Sequence, residues 1–179
     1  MSLISWYIRY DFKKGDRRRD AGLSTPPEIQ RYDDIVYGES KKWQILDVYR
    51  PKDKAGKLPV ILSVHGGGWV YGTKETYQFY CMDLAKRSFA VVNFTYRLAP
   101  EHRYPAQIED TNAVVEWILK HSEEYGFDTD NIFAVGDSAG GHLLSVYTAM
   151  CNDLSYAAHY DIEIPKDFQF NAIALNCGV

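Results

Sequence analysis

Apolar and polar positions along this chain alternate between short strand-like runs and longer stretches of helical spacing. Tyr32 to Tyr37 and Trp43 to Tyr49 are two strand candidates. The polar turn Gly38-Glu39-Ser40-Lys41-Lys42 lies between them, which predicts a hairpin. From Leu58 the pattern changes. Pro59–Val64 is a buried strand, and Glu75–Ser88 has helical spacing through Phe79, Met82, Leu84 and Ala85. Phe89–Tyr96 is rich in Val, Phe and Tyr and predicts a strand. Ala106–His121 puts Val114, Trp117, Ile118 and His121 on one helix face, with Glu109 and Asp110 near its start, where carboxylates favour the helix dipole. Asn131–Val135 is read as a strand, Ala139–Met150 as a helix and Asn171–Asn176 as a last strand. Such β–α alternation implies an α/β fold, a mostly parallel sheet with helices on both faces. Residues 1–31 are aromatic and basic, then loop-like through Ser24-Thr25-Pro26-Pro27, and are read as an N-terminal arm ahead of a core over 32–179.

Length and composition narrow the classes. The 179 residues suit one domain with a sizeable core. A net charge of −4 argues against nucleic acid as the main partner, and the basic run Lys13, Lys14, Arg17, Arg18, Arg19 reads as a solvated surface. Cys81, Cys151 and Cys177 lack metal-type spacing. They are read as reduced, buried packing residues of a cytoplasmic protein. No run reaches transmembrane length, and Leu3-Ile4-Ser5-Trp6-Tyr7-Ile8 lacks the basic flank and cleavage site of a signal peptide.

Chemistry concentrates in three segments. Gly136-Asp137-Ser138-Ala139-Gly140-Gly141 sits between a predicted strand and a predicted helix. In that context G-x-S-x-G presents a serine hydroxyl at the tip of a tight turn. Ser138 is therefore the candidate nucleophile, and the Ala139 amide, at a helix N-terminus, is a candidate oxyanion donor. The bland alternative is a helix N-cap serine. Upstream, the strand Pro59–Val64 runs into His65-Gly66-Gly67-Gly68-Trp69. Gly67 and Gly68 are candidates for the remaining oxyanion donors, against the alternative of a flexible loop. Trp69 and Tyr71 are equally candidates for the substrate pocket or for packing. Between the two segments lies Tyr96-Arg97-Leu98-Ala99-Pro100-Glu101-His102-Arg103-Tyr104-Pro105-Ala106, read as a scaffold with an Arg97–Glu101 ion pair. His65 and His102 are read as structural, and His142, one helical turn past Ser138, as poorly directed to serve as its base.

Together, the HGGG box, the YRLAPE segment and the GDSAGG elbow, in this order, resemble the hormone-sensitive-lipase-like branch of the α/β-hydrolase fold. The resemblance covers roughly residues 32–179. It implies a serine carboxylesterase that hydrolyses small to medium acyl esters through an acyl-enzyme, with no metal or organic cofactor. It also implies a cap over the site at residues 1–31, so that Trp6, Tyr7, Tyr10 and Phe12 are candidates to touch substrate. In such hydrolases an acid and a histidine follow the nucleophile on later strands. This chain reaches about six strands of an expected eight, so it is read as the N-terminal portion of the fold, with an apolar edge strand left exposed. Leu46-Asp47-Val48-Tyr49-Arg50-Pro51 also resembles a segment of polysaccharide-deacetylating and feruloyl esterases of this fold. Two rivals stay open. A prolyl-oligopeptidase-type peptidase tends to carry an aromatic where this chain has Ala139, and lacks the glycine box. A homologue that has lost its triad histidine would bind a small ligand without catalysis.

Overall fold

A computed structural model describes residues 3–177. Six strands form one sheet: β1 (Ile29–Val36), β2 (Ile45–Pro51), β3 (Leu58–Val64), β4 (Ala90–Thr95), β5 (Phe127–Asp137) and β6 (Ala172–Asn176). Their order is β1-β2-β4-β3-β5-β6. β1 and β2 are the expected hairpin, and β2 also runs antiparallel to β4. The β4–β3, β3–β5 and β5–β6 pairs are all parallel. The mostly parallel α/β sheet is as the sequence implied.

Side chains along the central strands explain why helices cover both faces. Val60, Leu62 and Val64 of β3 share one core with Val92 and Phe94 of β4 and with Ile108, Val115, Leu143 and Tyr147. These last four lie on α3 (Ala106–Lys120) and α5 (Ala139–Asn152). Ile61, Val91 and Val135, one position out of phase, point to the other face. There they meet Cys81, Met82 and Ala85 of α2 (Lys74–Ala85). A strand buried on both sides must read as a continuous apolar run, which is how β3 was found.

Four elements differ from the sequence reading. Leu3–Arg19, within the N-terminal arm, forms a helix, α1, that the sequence reading did not assign. Two short helices, α4 (Ser122–Tyr125) and α6 (Leu154–Ala158), complete the set. β5 starts four residues before the expected strand, at Phe127, where its pairing with β3 carries an irregularity between Pro59 and Val60. β6 lies at the sheet edge and is largely exposed, with Leu175 45% accessible. Cys81 and Cys151 are buried as expected, but Cys177 is exposed. None of the described helices is long and apolar enough to cross a membrane.

Candidate active site

Ser138 occupies the junction between β5 and α5 with φ 49° and ψ −115°. A residue with a β-carbon adopts that backbone only at a cost of about 1–3 kcal/mol, and such strain gathers where a side chain must be presented. Glycines permit the turn by close approach. A β-carbon on Gly136 would lie 2.5 Å from the Gly140 carbonyl oxygen, and one on Gly140 would run into the Val64 carbonyl oxygen. The elbow is thereby packed directly on the end of β3. The Ser138 N–H donates to the Asn176 carbonyl (2.7 Å), which ties the turn to β6.

The end of β3 leads straight into the glycine loop. Gly67 has φ 121°, and a β-carbon there would strike the Tyr71 carbonyl. The Gly67 carbonyl accepts the N–H groups of Val70 (3.2 Å) and Tyr71 (3.0 Å), closing a tight turn. Gly68, at φ 59°, faces open space. Among the described residues neither Gly67 nor Gly68 donates its N–H to another backbone carbonyl. The Ala139 N–H, in the first turn of α5, has no intrahelical acceptor. All three candidate oxyanion donors thus keep their N–H groups unclaimed by the turn itself.

These two segments meet in one cavity of about 540 Å³. Gly66, Gly67, Gly68 and Ser138 line it from the sheet side, together with Tyr71, Tyr77 and Asp137. Its opposite wall is α1, through Asp11, Phe12, Gly15, Asp16 and Arg19. Of the four N-terminal aromatics, Phe12 borders this cavity. Trp6, Tyr7 and Tyr10 are 57%, 64% and 59% exposed and do not. Tyr71 reaches the cavity and donates to Asp16 Oδ2 (2.5 Å). Trp69 does not line it. Its ring is half-buried, edge-on to His142 at 5.4 Å, so it packs against the core.

Several site contacts lay beyond the sequence reading. Tyr77 of α2 donates its hydroxyl to the Asp137 carboxylate beside the nucleophile. Burial and that carboxylate push the Tyr77 phenol well above its ordinary pKa. Arg9 of α1 donates to the Val70 carbonyl (2.7 Å) and to both oxygens of Glu101 (3.0 and 2.8 Å). Glu101 is therefore not the partner of Arg97. Arg97 pairs instead with Asp110 (2.8 Å) and Glu109 (2.7 Å) at the start of α3. The expected ion pair fails because the chain reverses after Leu98, and each residue finds its partner on a different helix.

Among the described residues no hydrogen bond joins any of the five histidines to Ser138 Oγ, and His142 Nδ1 is buried without a partner. His65 is fully buried, stacked on Tyr96 at 4.0 Å, with Nδ1 2.8 Å from the Gly66 carbonyl. Burial lowers its pKa to about 4, so it is neutral and donates through Nδ1. It is structural, as read. His102 packs on Trp43, His121 bonds Glu124, His142 packs on Trp69 and His159 on Tyr160. No group of three or more His, Cys, Asp or Glu among the described residues has a metal-holding arrangement.

Comparison with known proteins places this geometry. The BD-FAE family model matches residues 46–179. Carboxylesterase NlhH of Mycobacterium tuberculosis is 37% identical over 148 residues, which cover 77% of this chain and 45% of NlhH. Esterase LipC of the same organism is 35% identical over 134 residues, 74% of this chain and 32% of LipC. The chain thus spans less than half the length of these curated relatives. Among solved structures, Esterase B from Lactobacillus rhamnosis, in a C4-C4 tributyrin phosphonate complex, superposes with a TM-score of 0.91 at 29% identity, covering 97% of this chain and 57% of that one. A bacterial heroin esterase follows with a TM-score of 0.73 at 31% identity, covering 82% and 47%. With a family model matching most of its length and the sheet, elbow and glycine loop in place, the chain belongs to the BD-FAE family, among the hormone-sensitive-lipase-like esterases of the α/β-hydrolase fold.

Proposed function

We propose that this chain carries the nucleophile and oxyanion hole of a carboxylic ester hydrolase. The observation that carries the reading is Ser138, strained at positive φ, opening into the same cavity as the unclaimed N–H groups of Gly67 and Gly68. Ser138 Oγ attacks the ester carbonyl. The carbonyl oxygen takes up negative charge and is stabilised by Gly67, Gly68 and Ala139 N–H. Collapse expels the alcohol and leaves an acyl-enzyme, which water cleaves to release the acid. A histidine must accept the Ser138 proton and return it to the alcohol. None of the five histidines of residues 1–179 hydrogen-bonds Ser138 Oγ among the described residues, so this reading takes the base from sequence outside them. Residues 1–179 alone then show little Ser138-dependent turnover, and the chain is one part of a longer enzyme.

The same reading makes the substrate a small or medium acyl ester and α1 part of a cap. A cavity of about 540 Å³, lined by Phe12, Tyr71 and Tyr77 and closed off by Asp11, Asp16 and Arg19, limits the length of chain it can bury. Each methylene that cannot be buried forfeits about 0.8 kcal/mol. The phosphonate seen in Esterase B carries C4 chains, which agrees with that scale. The test is kcat/KM on nitrophenyl esters from C2 to C16 and on a proline-containing amide, in the complete protein and in Ser138→Ala. An optimum at C8 or shorter that vanishes in Ser138→Ala is expected. An optimum at C12 or beyond indicates a lipase, efficient amide cleavage a peptidase, and no turnover a ligand-binding protein.

A further inference from the structure

We propose that Arg9 is a positioning residue for the oxyanion loop, holding the turn that aims the Gly68 N–H into the cavity. The proposal rests on the reading of Gly68 as an oxyanion donor. It starts from where one side chain spends its donors. Arg9 Nε donates to the Val70 carbonyl at 2.7 Å. Its Nη2 reaches the Ala99 carbonyl at 3.1 Å, and both terminal nitrogens fork onto the Glu101 carboxylate. Three chain segments converge on one guanidinium: α1, the glycine loop and the Ala99–Glu101 loop. A direct bond from the Ala99 N–H to the Trp69 carbonyl (2.9 Å) joins the last two as well.

Peptide planarity connects this clamp to the site. The Gly67 carbonyl and the Gly68 N–H belong to one planar unit, so fixing the first orients the second. The Gly67 carbonyl is fixed by the N–H groups of Val70 and Tyr71. The Val70 carbonyl, in the same peptide unit as the Tyr71 N–H, is the atom Arg9 holds. Arg9 therefore restrains the plane that restrains the Gly68 amide, without touching substrate. A guanidinium suits the task because its planar fork serves a carboxylate and two carbonyls together, which a single ammonium cannot. The Arg9–Glu101 pair holds the Glu101 carboxyl down at about 2, so the clamp stays charged across the working pH range.

The experiment compares Arg9→Ala, Arg9→Lys and Glu101→Gln in the complete protein. Lys14→Ala, on the solvent face of α1, is the control. Two readouts are taken: kcat and KM on acetate and butyrate nitrophenyl esters, and hydrogen exchange of peptides spanning residues 66–72. Arg9→Ala lowers kcat about tenfold or more on both esters with KM within about twofold, since a lost oxyanion donor costs roughly 10²–10³ and this one is loosened rather than removed. Arg9→Lys does not restore kcat, and Glu101→Gln falls between it and the parent. Exchange over 66–72 rises in Arg9→Ala and not in Lys14→Ala. A parental kcat in Arg9→Ala overturns the proposal. So does a change confined to KM with faster exchange in α1 alone, which makes Arg9 a lid anchor only. The exchange measurement needs no turnover. It decides whether Arg9 holds the loop even if Ser138 proves not to be the nucleophile.

Discussion

Replacing Lys74 with methionine should be among the most destabilising single changes in α2. Lys74 follows Gly68 of the glycine loop by six residues and begins α2, yet its side chain is only 4% exposed. Its ammonium lies 2.9 Å from Asp47, which is 1% exposed, and also reaches Asp34 (2.9 Å) and Glu75 (2.8 Å). The last two carboxylates are 74% and 54% exposed, so water solvates them and they contribute little. Asp47 is the costly partner. Its remaining hydrogen bonds come from the Asp34 N–H (2.9 Å) and the Tyr49 hydroxyl (2.8 Å), and its other cation, Arg31, stands at 3.9 Å, too far to hydrogen-bond and only a partial substitute for Lys74. Removing one member of a buried pair leaves an uncompensated charge at about 3–5 kcal/mol. For a domain of this size that lowers Tm by roughly 6–20 °C, at about 2–4 °C per kcal/mol. Adding Asp47→Asn removes the orphaned charge, so the double variant should recover more than half of the loss. The pH dependence follows with a definite sign. Burial already holds the Asp47 carboxyl above its ordinary pKa. A folded-state pKa above the unfolded one means that stability falls as pH rises through that interval. Without Lys74 the interval widens, so Lys74→Met should be less damaging at pH 5 than at pH 8. Urea unfolding of residues 1–179 at both pH values measures this. A loss under 1 kcal/mol at pH 8, or no recovery in the double variant, refutes the reasoning.

Two further outcomes test the loops beside Ser138. Gly67→Ala should destabilise by several kcal/mol, because its β-carbon meets the Tyr71 carbonyl, whereas Gly68→Ala, with open space and φ 59°, should cost about 1–2 kcal/mol; equal losses in thermal unfolding refute that distinction. His65, with its pKa lowered to about 4 by burial, should show neutral imidazole resonances down to pH 5. Its contribution to stability is full above about pH 6.5 and is lost as pH falls toward 4, about 3 kcal/mol in all; titration of its ring near 6.5 contradicts the buried placement.

What the sequence made legible was what local chemistry dictates. The continuous apolar runs of β3 and β4 follow from burial on both faces, and the elbow from a turn too tight for any side chain at Gly136 or Gly140. The first strand of the hairpin starts at Ile29, three residues before the expected Tyr32, and its register shifts between Tyr32 and Ile35, where Asp34 sits at positive φ. The start of β5 was hidden by Asp128, Thr129 and Asp130, which lie at the exposed end of the strand. α1 carries no clean apolar stripe, since Arg9 and Asp16 meet the loop at Val70 and Tyr71 through hydrogen bonds rather than apolar packing. Its link to the site joins residues 92 positions apart, so no local pattern announces it. Tyr77 on Asp137, 60 positions apart, was missed for the same reason. The Arg97–Glu101 expectation erred by preferring the near residue when the fold supplied a carboxylate on α3.

Covalent labelling of Ser138 by a fluorophosphonate tests the central claim most directly. The reagent reacts with an activated serine and places phosphorus where the tetrahedral carbon would stand, with an oxygen toward the oxyanion donors. The labelled complete protein is digested and the adduct located by mass spectrometry. The account predicts one adduct, on the peptide containing Gly136–Gly140, absent in Ser138→Ala together with ester hydrolysis. An adduct on another residue, with hydrolysis surviving in Ser138→Ala, would contradict it.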